Sequence, residues 1–291
     1  MATNAKWKKA VVHLECVGDT NTTDSTLRLQ MQLNEGLITF KDFSDQLSNG
    51  SRNRRYHGTA VLLEDEEKKY LITARHVVFD EVESDIFPFI CRVKSKNETL
   101  NDNIPNFMMN LSSGSPGTRP YLFSTPELDL AIISLNSNKT RAFLEELLNL
   151  GYEPINVEDI FELPEEEGKD ITAIGYPNYS IVDYLDKPYY SKHWSSQHIS
   201  LPVFSFGKVA MIHNELDYFW GDISIYPGNS GGPVIYDGKL VGIVSAQPTI
   251  PSEINGDRVR IPFAKVIKAK YVQELIDSIK EVENYIDDLM K

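Results

Sequence analysis

Three short segments carry side chains that can do chemistry together. LITARHVV sets His76 just after an apolar run, LDLAIISL sets Asp129 at the head of another, and PGNSGGP sets Ser230 in a glycine turn. A serine hydroxyl is a poor nucleophile at neutral pH. It needs a base to take its proton, and the base needs an anion to fix its tautomer and stabilise its charged form. Ser230, His76 and Asp129 supply those roles. Attack on a carbonyl also leaves an oxyanion that hydrogen-bond donors must meet. Gly228 has no Cβ and can turn its N–H inward beside that of Ser230, so these two N–H groups are the candidate oxyanion hole. Gly231 and Gly232 are expected to leave room for a substrate backbone.

The elements that must position these groups read as strands. AVVHLECV, GTAVLLE, YLITARHVV, LDLAIISL, DITAIGYP, GKVAMI and PVIYDGKLVGIVSA are short apolar runs bounded by Gly, Pro, Asn and Asp, the pattern of antiparallel barrels or a sandwich. PVIYDGKLVGIV is a hairpin in itself, with Asp237-Gly238 as its turn. Helical patterns are confined to RAFLEELLNL at 141–150, a segment within 24–48 and a long stretch from about Phe263. The acidic LPEEEG at 163–168 falls between two sets of strands. The expected division is an N-terminal lobe over 1–150, a C-terminal lobe over 165–262 and a helix over 263–291. In that helix Val272, Leu275, Ile279, Val282, Ile286 and Leu289 are spaced as a heptad seam, flanked by Lys280, Glu281, Glu283 and Asp287. An apolar stripe of that length must be covered, by the second lobe, a protein partner or a second copy.

Composition narrows the partners. With 291 residues, 41% of them hydrophobic and 24% charged, the chain can bury a sizeable core. A net charge of −13 argues against a nucleic-acid phosphate backbone as partner. The start, MATNAKWKKAVVHLECVGD, is broken by His13 and Glu15, so neither a signal peptide nor a membrane span is expected. Cys16 and Cys91 are too few for a disulfide framework and read as small core residues, so the expected location is cytoplasmic. His13, His57, His193, His198 and His213 read as surface or strand-face residues, Arg52, Arg54 and Arg55 as a solvated loop, and no metal or cofactor is expected.

TARHVV, DLA and GNSGGP, in this order, resemble the chymotrypsin-fold (PA clan), trypsin-like serine proteases. The order His, Asp, Ser separates them from subtilisin-like and α/β-hydrolase arrangements. GDISIYPGNSGGPVIYDGKLVGI is more similar to HtrA/Deg-type and related bacterial proteases than to digestive enzymes. The likeness spans most of 58–262 and is concentrated in the three motifs. It implies a single peptidase domain, all-β, with two antiparallel six-stranded-type barrels, a C-terminal helix and a cleft between the lobes. It also implies a serine endopeptidase working through the His76, Asp129, Ser230 triad and an acyl-enzyme, on a protein or peptide substrate, without a cofactor.

In this family the primary specificity pocket is walled by the strand leading into the nucleophile and by the segment after the following hairpin. Here these are Gly221 to Pro227 and Ser245, Ala246 and Gln247. Ser224 stands where trypsin carries an aspartate, so small or medium apolar side chains are expected before the cut. Digestive relatives pair an aspartate just before the nucleophile with a newly freed N-terminus. This chain has Asn229 there, so N-terminal cleavage is not expected to be needed. The chain also departs from the family: no PDZ-like domain fits after Pro262, and long segments at 19–57 and 179–204 interrupt the pattern. Control is therefore expected to come from loops or a partner. The alternative from another class is a protease-fold binding or scaffold protein with little turnover until activated.

Overall fold

Along β1 (Val11–Gly18), Val12, Leu14 and Cys16 face one way and Val11, His13 and Glu15 the other, and both rows are buried. The first row enters the core of the N-terminal lobe; Val11 joins a second core shared with the rest of the molecule. This doubly buried strand shows that the two lobes are packed into one body. A computed structural model describes residues 2–18, 30–43, 54–80, 85–86, 89–92, 106–109, 111, 119–160, 166–177, 202–251 and 258–289.

The N-terminal lobe also holds β2 (Arg54–Asp65), β3 (Lys68–Ala74), a small pair β4 (Phe79–Asp80) and β5 (Asp85–Ile86), β6 (Phe89–Arg92), β7 (Asn106–Met109), β8 (Tyr121–Phe123), β9 (Leu130–Ser134) and β10 (Ile155–Asn156). Its main sheet has eight strands in the order β7-β6-β1-β2-β3-β9-β8, with β10 parallel to β2. The C-terminal lobe holds β11 (Asp170–Gly175), β12 (Val203–Met211), β13 (Tyr218–Ile223), β14 (Pro233–Tyr236), β15 (Lys239–Ala246), the ribbon β16 (Thr249–Pro251) and β17 (Arg258–Arg260), and β18 (Phe263–Lys268). There β11-β12-β13-β18-β15-β14 close into a barrel around Phe219, Val234, Val241, Val244 and Val266. The Asp237-Gly238 hairpin forms as expected, both residues at positive φ (47° and 79°).

One expectation about the architecture is met in part and another is corrected. Only the C-terminal lobe closes among the described residues: β7 and β8 end the first sheet without pairing to each other. Between β7 and β8 only Leu111, Arg119 and Pro120 are described. The C-terminal helix does not start at Phe263. FAKVIK is β18, which completes the barrel between β13 and β15, and the helix runs Lys270–Leu289. Alternation decides this: Ala264 and Val266 point into the barrel while Phe263 and Lys265 face outward.

Both ends of the chain cross between lobes. An N-terminal helix, Ala2–Ala10, lay outside the sequence reading. It buries Trp7 fully, and the indole N–H donates to the carbonyl of Gly238 in the second lobe (3.0 Å). Removing such a side chain costs about 3–5 kcal/mol. The C-terminal helix leaves the second lobe and lies along the first. Its buried line is Val272, Ile276 and Ile279, with Leu275, Val282 and Ile286 half-buried, so the seam is rotated from the expected one and includes Ile276. The next position on that line is Glu283. Its carboxylate takes Lys68 Nζ (2.8 Å), Asn136 Nδ2 (3.3 Å), Tyr70 OH (3.4 Å) and the Ser134 hydroxyl. No helix among the described residues is long and apolar enough to cross a membrane.

The expected helix at 141–150 is present as Arg141–Asn149, with Phe143 and Leu147 buried. Cys16 is buried, and its thiol is pushed far above the usual range by burial and then by the Glu15 charge. His13 is a strand-face residue, but the face lies between the lobes: its ring stacks on Tyr176, and its Nε2 is 3.3 Å from His57 Nδ1. His193, His198, Arg52 and most of the 179–204 and 19–57 segments lie outside the described residues.

Candidate active site

His76 occupies a single helical turn, Arg75–Val78, that follows β3 directly. Val77 and Val78 anchor this turn in the first-lobe core. Val77 presses so closely on Gly58 that a Cβ there would lie 2.3 Å from its Cγ1. With the turn anchored by its neighbours, the His76 side chain is left 49% exposed.

Asp129 precedes β9 in the left-handed region (φ 49°), which a short polar side chain tolerates better than a branched one. Its carbonyl accepts from Arg75 N–H (3.0 Å). Its carboxylate accepts from the backbone N–H of His76 on Oδ1 (2.9 Å), and from His76 Nδ1 (2.8 Å) and Ser245 Oγ (2.6 Å) on Oδ2. Burial pushes this carboxyl up, but the His76 hydrogen bond and charge, with the Ser245 and backbone bonds, outweigh it and hold Asp129 below the ordinary aspartate range. An ionised carboxylate can only accept, so Nδ1 of His76 donates to it, and in the neutral ring Nε2 then presents a lone pair.

Ser230 lies in a turn folded on itself by Asn229 N–H to Tyr226 O (3.0 Å) and Gly232 N–H to Asn229 O (2.9 Å). Gly228 has φ 101°, open to glycine at no steric cost. The N–H groups of Gly228 and Ser230 find no acceptor among the described residues, as an oxyanion hole requires. Ser230 Oγ donates to the carbonyl of Ser245 (3.1 Å), and no hydrogen bond joins it to His76 among the described residues. Thus the structure ties His76 to Asp129 as the sequence requires, and holds Ser230 in another rotamer.

The glycines after the nucleophile have a different role from the expected one. A Cβ on Gly231 would lie 2.0 Å from the Thr59 carbonyl, and one on Gly232 2.3 Å from that of Ile174. Both make room for the protein's own backbone, the first for the opposite lobe. The pocket residues divide likewise. Ser224 and Ala246 are exposed, and Gln247 is half-buried with its Nε2 on the Ile261 carbonyl (3.1 Å). Ser245 is buried and turns its hydroxyl to Asp129, so its side chain holds the carboxylate and does not line a pocket.

Two further residues escaped the sequence reading. Phe263 is directly opposite Asp222, two residues before Ser224, on the outward face of the barrel and 37% exposed. The alternation in FAKVIK is the signal that would have found it. Thr59 is fully buried on β2 and bonds the Ser230 turn from across the lobe boundary: its N–H donates to Ser230 O (2.8 Å) and its hydroxyl to Gly228 O (2.8 Å). No local pattern marks it. Among the described residues no group of three His, Cys, Asp or Glu side chains is placed to hold a metal ion.

A closed six-stranded barrel, bonded through its glycine turn to a second β lobe that carries a histidine–aspartate pair, is an architecture of the chymotrypsin-like class. Residues 58–243 match the family described as trypsin-like peptidase domain, and the chain belongs to that family. No curated protein sequence matches it.

Proposed function

We propose that this protein is a serine endopeptidase. The observation that carries the reading is the Asp129 carboxylate, held by three donors and aligned on His76 Nδ1, which leaves Nε2 as a base on the exposed side of the ring. In the reaction His76 takes the Ser230 proton as Oγ attacks the peptide carbonyl. The N–H groups of Gly228 and Ser230 receive the oxyanion, and His76 then gives the proton to the leaving amine. The acyl-enzyme on Ser230 is hydrolysed by water with the same base. Asp129 stays ionised throughout, which its depressed pKa supports.

The position of Ser230 Oγ on the Ser245 carbonyl favours a second reading, a protein at rest whose hydroxyl must turn to His76 before turnover. This is the scaffold-like alternative in physical form. A fluorophosphonate probe separates the two: rapid labelling lost in Ser230→Ala supports the peptidase, whereas a folded wild type that labels no faster than Ser230→Ala overturns it. Losing a triad member is expected to lower kcat by about 10⁴–10⁶-fold.

Ser224, Ala246 and Gln247, with Phe263 beside them, are the pocket residues of this reading, which favours small or medium apolar side chains before the cut. The HtrA/Deg-type likeness of the sequence around Ser230 belongs with it, as does a cytoplasmic location. A regulatory partner or second copy on the C-terminal helix would meet exposed Tyr285 and half-buried Val282 and Ile286, since Val272, Ile276 and Ile279 are already covered.

A further inference from the structure

Thr59 is tied on every side at the lobe boundary. Its N–H donates to Ser230 O (2.8 Å), its hydroxyl donates to Gly228 O (2.8 Å) and accepts from Tyr176 N–H (3.0 Å), and its carbonyl accepts from Thr73 Oγ1 (2.7 Å). Three of these four bonds lead into the second lobe, and two end on carbonyls of the glycine turn. A carbonyl fixed in space fixes the plane of its peptide. Thr59 therefore orients the peptide after Gly228 and the peptide after Ser230, which flank the peptide whose N–H belongs to Ser230. Gly228 is the weak point of this arrangement. Without a Cβ it rotates freely once its carbonyl is released, and its own N–H swings with it. The second lobe carries both N–H groups, yet the side chain that holds their turn comes from the first.

We propose that Thr59 is a positioning residue that sets the oxyanion turn across the lobe boundary. The inference rests on the peptidase reading above. The hydroxyl has two functions here, pinning Gly228 O and receiving Tyr176 N–H, so it couples the turn to the docking of β2 against the strand end at Gly175. Thr73 provides the contrast. It is equally buried and bonds Thr59 O, and its hydroxyl packs on Gly231, but it gives no hydrogen bond to Gly228 or Ser230 among the described residues.

The test compares Thr59→Val, Thr59→Ser and Thr73→Val in the full chain, at a temperature where circular dichroism shows each to be folded. The readouts are the rate of Ser230 labelling by a fluorophosphonate, whose oxygen must sit among the same donors, and kcat and KM on fluorescent casein. Thr59→Val is expected to lower both the labelling rate and kcat about 10–100-fold, short of the full loss of an oxyanion donor, with KM within about threefold of wild type. Thr59→Ser should restore both rates. Thr73→Val should lose stability and keep its kcat. Should Thr59→Val not fold, Thr59→Cys, a weaker donor of similar reach, is expected to give an intermediate loss. An unchanged kcat in folded Thr59→Val or Thr59→Cys, or an equal loss in Thr73→Val, overturns the inference while leaving the peptidase reading intact. A wild type that neither labels nor cleaves overturns that reading and this inference with it.

Discussion

Glu283 offers a test of what fastens the C-terminal helix to the first lobe. Its carboxylate pairs with Lys68 (2.8 Å), but the two side chains are 30% and 17% exposed, so solvent screens the pair. Such a pair contributes about 0.5–1 kcal/mol. The same carboxylate also accepts from the hydroxyls of Tyr70 and Ser134, residues that are 0% and 1% exposed. Stranding a buried hydroxyl costs about 1–3 kcal/mol. Ser134 also accepts from Asn136, which softens its loss, and the Tyr70 bond is long at 3.4 Å. Glu283→Ala is therefore expected to cost about 3–4 kcal/mol and Glu283→Gln, which keeps an acceptor, about 1 kcal/mol. For a chain of this size that corresponds to roughly 6–16 °C and 2–4 °C in Tm. The assay is thermal unfolding of both variants and wild type, in low salt and in about 1 M NaCl, where the Debye length falls to about 3 Å. If Glu283→Gln is as damaging as Glu283→Ala, or high salt removes the difference between wild type and Glu283→Ala, the ion pair dominates and the argument from buried hydroxyls is wrong.

Two more outcomes follow from the site. The Asp129 pKa is lowered in the folded protein, so its contribution to stability is present above the unfolded aspartate value of about 3.9 and is lost as pH falls through the lower folded value. Urea midpoints should decline below about pH 4, and Asp129→Asn should flatten that decline; an identical acid profile in the variant would refute it. Phe263→Ala should enlarge the proposed pocket beside Ser224 and shift cleavage in a peptide library from small or medium toward large apolar side chains before the cut. Strict preference for Arg or Lys in wild type would contradict the pocket altogether.

The sequence exposed what depends on local pattern and hid what depends on closure. Asp237-Gly238 between two apolar runs could only be a tight hairpin, and the runs around His76, Asp129 and Ser230 announced their strands. FAKVIKAKYVQELI failed because a strand passes into a helix with no Gly or Pro between them, so helical spacing read backward through Phe263. The rotated seam failed for a related reason: Glu283 occupies a buried line, and a charged residue there is visible only once Tyr70, Ser134 and Asn136 converge on it. Ser245 and Thr59 were unreadable because their partners lie 116 and 169 residues away along the chain.

The crossed ends also dictate an order of events during synthesis. Trp7 leaves the ribosome well before its partner, because the carbonyl it bonds belongs to Gly238, 231 residues later. At roughly 5–20 residues per second the indole waits about 10–50 s for its partner. The helix Lys270–Leu289, which closes over β9, appears later still. Neither lobe can finish alone, so folding is dominated by distant contacts and is expected to be slow. During that wait the nascent chain presents Trp7 and the uncovered outer row of β9 to chaperones and to its neighbours.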